Sequence, residues 1–109
     1  MRMWMVNPKL LCRQHLLGEH QETHSFVGCI RKGTSLKGYI ENGLIEVHNL
    51  KKRHQQLAKE MIERGYNHKS PLPEFKDYEC GRIDREENIN ELRKRCSECQ
   101  KRIMILSNI

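Results

Sequence analysis

The sequence lacks any apolar run long enough to cross a membrane. Its mean hydropathy is -0.80 and 31% of its 109 residues are charged, which leaves no room for the roughly 18 consecutive apolar residues of a span. The first residues, MRMWMVNPKLL, also lack the form of a signal peptide, because Asn7, Pro8 and Lys9 interrupt the apolar stretch. We therefore expect a cytoplasmic protein with no membrane partner.

A disulfide framework is also unexpected. The cysteine count is odd and no secretory signal accompanies it, so reduced thiols are the default expectation. The five cysteines are Cys12, Cys29, Cys80, Cys96 and Cys99. They indicate a reducing compartment.

The sequence shows no internal repeat and no alternating pattern typical of a strand. Helical patterns are present instead, and they predict an all-α fold in which residues 1–109 form one compact domain of three main helices. The first predicted helix begins at Asn7 and Pro8, where asparagine can cap and proline fits the first turn, and ends at Gly33.

The second predicted helix starts after Gly43 and ends at Gly65, a residue suited to a left-handed stop. Its buried stripe is Leu44, Val47, Leu50, Leu57 and Met61. Its outer face is predicted to carry Lys51, Lys52, Arg53, His54 and Lys59. Between this helix and the third, Pro71 and Pro73 predict an extended loop.

The third predicted helix is capped by Asp84, and Glu87 follows three residues later. Apolar residues then recur at helical spacing, which predicts one core-facing seam: Ile89, Leu92, Cys96, Cys99, Ile103 and Leu106. The pair Cys96 and Cys99, with Cys80 upstream, has the spacing of half a zinc site. We favour core packing without metal, because both cysteines lie on the seam and no second Cys-x₂-Cys or His-x₃-His pair completes four ligands.

The net charge of +6 is placed unevenly. Residues 1–69 hold twelve Lys and Arg against six Asp and Glu, whereas residues 70–109 hold eight of each. A basic region of this kind attracts polyanions such as nucleic acid. A soluble protein that is merely basic would have the same composition, so charge alone leaves both interpretations open.

The first predicted helix has an unusual polar stripe. Leu11, His15, Gly18, Glu22 and Phe26 share one face, and Gly18 would permit close approach of another backbone. A carboxylate in such a cleft can serve as a general acid or base, although a solvated boundary face would have the same pattern. Beside the terminus, Trp4 is expected to anchor the chain. A terminal α-amine loses its proton more readily than a lysine side chain and is a ready Schiff-base nucleophile.

Two segments resemble a known family. QHLLGEHQETHSFVGCIRKG, at 14–33, and LKKRHQQLAKEMIERGYN, at 50–67, resemble the first two helices of the pyrimidine-dimer DNA glycosylases of the phage endonuclease V type. The matches are collinear and similarly spaced. The resemblance implies an all-α fold whose N-terminal amine attacks the deoxyribose C1′ and then breaks the strand by β-elimination, with no metal or other cofactor.

The resemblance also implies roles for particular residues. Met1 falls on the nucleophile and Glu22 on the catalytic glutamate. Substrate contacts fall on Arg2, Gln14, His15, Gln21 and Ser25. Of these, Gln21 and Ser25 stand where the family has arginines. The bulk of Arg2 is expected to prevent removal of the initiator methionine, so that the Met1 amine itself would act. The family's aromatic, basic C-terminal tail has no counterpart in this chain.

We therefore expect a metal-independent DNA glycosylase and abasic-site lyase that acts on duplex DNA containing pyrimidine dimers or a related base lesion. It is expected to be a monomer in the cytoplasm, associated with the nucleoid. The DNA backbone would be contacted by Arg31, Lys32, Lys51, Lys52 and Arg53. Two alternatives remain: a non-catalytic basic DNA-binding protein of the same fold, and a zinc module built on Cys80, Cys96 and Cys99.

Overall fold

The first long helix begins later than the sequence predicts. In the computed structural model, which describes residues 1–107, Asn7 and Pro8 open only a 3-10 turn, Pro8–Leu10, and the chain is extended at Leu11. Helix α1 then spans Arg13–Lys32 and is capped by the Cys12 sulfur. It ends at Gly33, whose φ of 74° provides the predicted left-handed stop.

The second predicted helix is divided into shorter elements. Helix α2 spans Lys37–Glu41, a 3-10 turn spans Val47–Asn49, and helix α3 spans Leu50–Glu63. Helix α3 starts late because the backbone is still extended at Glu46. Two residues earlier, the Leu44 carbonyl accepts the Met3 N–H. The predicted stop at Gly65 is confirmed by its φ of 82°.

The predicted outer face of α3 is wrong at two positions. Arg53 and His54 are 2% and 5% exposed, whereas Lys51, Lys52 and Lys59 are exposed. The reason is that α3 packs along α1, and Arg53 forms an ion pair with Glu19 of that helix. The predicted stripe itself is buried at Val47, Leu50, Leu57 and Met61, and Leu44 is partly buried.

The third predicted helix is two helices. Helix α4 spans Arg85–Arg95 and helix α5 spans Ser97–Ser107, because the backbone is extended at Cys96. The Asp84 cap is confirmed, since its carboxylate accepts the Glu87 N–H at 3.1 Å. The apolar seam predicted for one straight helix is instead divided between the two helices of a hairpin. Its residues still face the interior: Leu92, Cys99 and Ile103 are buried, and Ile89, Cys96 and Leu106 are partly buried.

The described residues contain five α-helices and no strand, which confirms the all-α class. Residues 66–84 have no regular secondary structure, as the two prolines predict. Within residues 1–107, no helix combines the length and apolar character needed to cross a bilayer.

The N-terminal segment, residues 1–7, has no regular secondary structure and passes between two apolar clusters. Met3 packs into one cluster, with Phe26 and Leu50, whereas Trp4 and Val6 pack into the other. Met5 also packs against the cluster of Met3, so one short segment contributes alternate side chains to both halves of the core. Burying these side chains fixes the path of the N-terminus.

Candidate active site

Polar contacts hold the N-terminal segment along its length. The Met3 N–H donates to the Leu44 carbonyl at 2.8 Å. The Trp4 carbonyl accepts the Asn88 side-chain amide at 2.8 Å, and the Val6 carbonyl accepts Arg53 Nη1 at 2.6 Å. Trp4 is 4% exposed, so the anchoring expected from the sequence is confirmed. Met1 is exposed, and the residues that follow it are held in place by these hydrogen bonds.

The start of this segment lies against Glu22 on α1. The Arg2 backbone N–H donates to Glu22 Oε2 at 3.1 Å. Consecutive backbone nitrogens are roughly 3 to 3.6 Å apart, so the α-amine of Met1 lies within roughly 7 Å of that oxygen. The structure thus brings together the two residues that the family resemblance identifies as catalytic.

Glu22 lies in a partly desolvated position. Burial raises the pKa of its carboxyl above the ordinary value, and this outweighs the opposing effects of the Arg2 N–H and the N-terminal charge. A carboxyl group with a raised pKa holds and releases protons nearer to neutral pH. Such a group suits proton transfer at a nearby reacting atom.

The Arg2 side chain is part of the same arrangement. Its Nη2 donates to Asn88 Oδ1 at 2.6 Å, and its guanidinium lies 3.9 Å from the centre of the Trp4 ring. Burial, followed by the nearby charge of Arg95, lowers the Arg2 pKa. Its Nε is buried and has no hydrogen-bond partner among residues 1–107.

The other predicted substrate contacts are spread along α1. Gln14 and Gln21 are exposed, and the Ser25 hydroxyl donates to the Gln21 carbonyl at 3.3 Å. The His15 ring contacts Trp4 edge-on and directs Nδ1 towards sulfur atoms. Gly18 does not accommodate another backbone: a Cβ built there would meet no atom within 4 Å, so that expectation is wrong.

Four of the five predicted DNA-backbone cations are exposed, namely Arg31, Lys32, Lys51 and Lys52. Arg53 is not available at the surface. Its guanidinium makes two hydrogen bonds with the Glu19 carboxylate, at 2.5 and 2.8 Å, and Glu19 is 1% exposed. The placement of Arg53 among the phosphate-binding residues is therefore corrected.

Sequence reasoning missed a cluster of histidines. His20 on α1 lies 4.7 Å from His54 and 4.8 Å from His68 between ring centres, and His24 is 5.1 Å from His20. The Nε2 atoms of His20 and His68 are 2.9 Å apart, the length of a hydrogen bond. Burial and the three neighbouring imidazoles lower the pKa of His20 to about 4. The residues are far apart in sequence, and no spacing rule joins them.

A second missed cluster contains Cys12, His15, Cys96 and Cys99, whose ligand atoms all lie within 4.8 Å of one another. Cys80 is elsewhere. It packs against the cluster that contains Met3, and its N–H donates to His48 Nδ1. The zinc alternative that combined Cys80 with Cys96 and Cys99 therefore has the wrong ligand set. The missed signal was Cys12-x₂-His15, which has the same spacing as Cys96-x₂-Cys99.

Comparisons with known proteins bear on the N-terminal two thirds of the chain. A family model described as pyrimidine dimer DNA glycosylase matches residues 1–74. Searches of curated proteins and of solved structures returned no match. The matched range includes the N-terminal segment, α1 and α3, and so contains Met1, Arg2 and Glu22. The chain belongs to the pyrimidine dimer DNA glycosylase family.

Proposed function

We propose that this protein breaks the bond between a damaged pyrimidine and its deoxyribose in duplex DNA and then cleaves the strand at the resulting abasic site, with the Met1 α-amine as the nucleophile. The observation that supports the proposal most directly is the hydrogen bond from the Arg2 N–H to Glu22. It holds the amine beside a half-buried carboxylate, and the N-terminal segment behind it is fixed. A nucleophile beside a proton-transfer group is the arrangement that covalent catalysis requires.

The chemistry proceeds in two stages. The neutral amine attacks C1′ of the damaged nucleotide, and the bond between C1′ and the base breaks, so that the base leaves with the bonding electrons and takes up a proton. The attached amine then loses one proton, the bond between C1′ and the ring oxygen O4′ breaks, and O4′ takes up a proton, which leaves an iminium at C1′. A proton is then removed from C2′ and the 3′ phosphate departs. Water finally hydrolyses the imine and frees the amine.

Glu22 is the group we propose for the proton transfers. Its raised pKa makes it a better proton acceptor than an ordinary surface carboxylate. As an anion it also stabilises the positive charge of the iminium. Both effects are stronger in the transition state, where positive charge develops and protons move, than in the bound substrate. They therefore lower the activation barrier more than they strengthen substrate binding.

Substrate would be oriented by polar groups close to Met1 and along α1. Arg2 directly follows Met1, and its side chain is partly exposed. Gln14, Gln21 and Ser25 lie on α1, as does His15, whose Nδ1 faces sulfur atoms so that only its Nε2 is left for the substrate. The exposed cations Arg31, Lys32, Lys51 and Lys52 would contact the DNA backbone, which adds affinity without reading sequence. A dimer distorts the duplex and lowers the cost of exposing the damaged nucleotide.

The test is borohydride trapping on two duplexes, one containing an abasic site and one containing a cyclobutane pyrimidine dimer. Reduction of the imine leaves a stable protein–DNA adduct, and peptide mapping should place the adduct on Met1. Acetylating the α-amine should abolish trapping while DNA binding persists. Capture on the abasic duplex alone would restrict the function to a lyase and contradict dimer release.

A matched pair of variants separates the role of Glu22 from a general effect of charge. Glu22→Gln keeps an acceptor for the Arg2 N–H but cannot take a proton, so trapping should slow by about 100-fold or more. Glu41→Gln changes an exposed glutamate on α2 and should leave the rate unchanged. Absence of trapping with both duplexes, despite tight DNA binding, would favour the non-catalytic DNA-binding protein instead.

A further inference from the structure

Four ligand side chains meet where α1 and α5 both begin. Cys12 caps α1 and His15 lies in its first turn, while Cys96 precedes α5 and Cys99 lies in the first turn of that helix. Each pair is separated by two residues, and the pairs are more than eighty residues apart. The fold thus assembles a Cys-x₂-His pair and a Cys-x₂-Cys pair at one place.

Three of the six separations between these ligand atoms are close to those of a tetrahedral zinc site, and all six are within 4.8 Å. Zinc binds sulfur at about 2.3 Å and imidazole nitrogen at about 2.0 Å, so tetrahedral geometry requires about 3.8 Å between sulfurs and about 3.5 Å between sulfur and nitrogen. The Cys12 and Cys96 sulfurs are 3.8 Å apart. His15 Nδ1 lies 3.2 Å from the Cys12 sulfur and 3.6 Å from the Cys99 sulfur.

A backbone N–H points at each of the three sulfurs, while burial raises the pKa of the Cys99 thiol to about 12. The Cys12 N–H points to the Cys99 sulfur at 3.2 Å, and the N–H groups of His15 and Cys99 point to the sulfurs of Cys12 and Cys96 at 3.4 Å each. Hydrogen bonds from amides stabilise thiolates, and the N-termini of α1 and α5 add partial positive charge. Thiolates are the form in which cysteine binds metal.

We propose that Cys12, His15, Cys96 and Cys99 form a structural zinc site. Core packing of small thiols explains the burial of Cys99 but not an imidazole nitrogen aimed at two sulfurs. Four protein ligands complete the coordination shell and leave no position for water or substrate, which is the pattern of structural rather than catalytic zinc. Binding would release the protons of the three thiols.

This site would join the part of the chain that matches the family to the part that does not. Cys12 and His15 lie within residues 1–74, and Cys96 and Cys99 lie beyond them. The metal would fix the hairpin of α4 and α5 on α1. This inference does not depend on the DNA chemistry, since it concerns only how the helices are held.

Metal analysis of the full-length protein, prepared with added zinc under reducing conditions, is the first test. We expect one zinc ion per chain. Replacement by cobalt should give a thiolate-to-cobalt charge-transfer band and the intense visible bands of a tetrahedral ion, and it requires no mutation. Removal of zinc by a strong chelator should lower the melting temperature, and added zinc should restore it.

Variants identify the ligands. Cys12→Ser and Cys99→Ser should lose stoichiometric zinc and the melting-temperature response to chelator, whereas Cys80→Ser, which changes a cysteine outside the cluster, should keep both. The proposal is overturned if wild-type protein binds no stoichiometric metal and its cobalt spectrum lacks the thiolate band. Retention of zinc by Cys12→Ser, or its loss from Cys80→Ser, would equally overturn this ligand set.

Discussion

The buried ion pair between Arg53 and Glu19 gives the sharpest prediction of stability. Arg53 is 2% and Glu19 is 1% exposed, and the guanidinium also binds the Val6 carbonyl. Arg53→Met would leave a buried carboxylate without its counterion and a carbonyl without a donor. Breaking a buried pair from one side costs about 3 to 5 kcal/mol, which corresponds to a fall in melting temperature of about 13 to 22 °C for a domain of this size.

The free energy of unfolding would be measured by urea denaturation, followed by circular dichroism at fixed pH and zinc concentration. Lys37→Met is the control, because Lys37 and Glu41 form an exposed pair at 3.8 Å. We expect its effect to stay within about 0.5 kcal/mol. Since Arg53 also holds the N-terminal segment, Arg53→Met should reduce borohydride trapping, whereas the control should not.

The double variant Arg53→Met with Glu19→Leu tests the cause of the loss. If the loss comes from an uncompensated charge, removing that charge should recover about 2 kcal/mol or more, because apolar side chains can replace a buried ion pair at little cost. The reasoning is refuted if the free energy of unfolding of Arg53→Met lies within about 1 kcal/mol of the wild-type value. It is also refuted if the double variant is no more stable than the single one.

Three further predictions concern pH, the N-terminal segment and a close backbone contact. Burial and neighbouring histidines lower the pKa of His20 from 6.5 to about 4. As the pH is lowered, the unfolded chain therefore binds the proton before the folded chain does, and the free energy of unfolding should decrease as the pH falls from 6.5 to about 4. The loss attributable to His20 is at most about 3 kcal/mol, and urea denaturation across this range should show a smaller loss for His20→Asn. Asn88→Ala should lower the free energy of unfolding by about 1 to 3 kcal/mol, because the Trp4 carbonyl loses its hydrogen-bond donor. It should also slow borohydride trapping more than it weakens DNA binding in a fluorescence anisotropy assay. Gly81→Ala should lower the melting temperature more than Gly65→Ala, because both glycines have positive φ but only at Gly81 would an added Cβ collide with a backbone carbonyl oxygen, that of Ile45. Equal effects of the two substitutions would contradict this close contact.

The sequence is sufficient to predict the elements that local rules govern. The caps at Asp84 and Gly33, the stop at Gly65 and the prolines of residues 66–84 act over a few neighbouring residues, and the structure agrees with each. The break at Cys96 was missed because a helical seam has the same spacing whether it lies on one helix or on two helices that fold against each other. Only tertiary contact between α4 and α5 distinguishes these cases.

The site was predicted unevenly for a similar reason. Glu22 and Met1 came from a family resemblance, and their proximity could not have been derived from spacing along the chain. Arg53 was misplaced because a cation on a helix is usually solvated, and its partner Glu19 lies on another helix. The cysteine and histidine clusters each combine residues from distant segments, so the short motif at Cys12 and His15 gained meaning only when the fold placed Cys96 and Cys99 beside it.

The C-terminal third of the chain has a direct part in the N-terminal site, although the family match ends at residue 74. Asn88 of α4 binds both the Trp4 carbonyl and the Arg2 guanidinium, so α4 helps to fix the segment that carries the amine. Helix α4 is in turn held by α5, whose first turn meets Cys12 and His15 on α1. Zinc bound to those four ligands would therefore help to hold Met1 in position without contacting the reacting groups. A metal with no role in the chemistry would in this way still influence the rate of trapping.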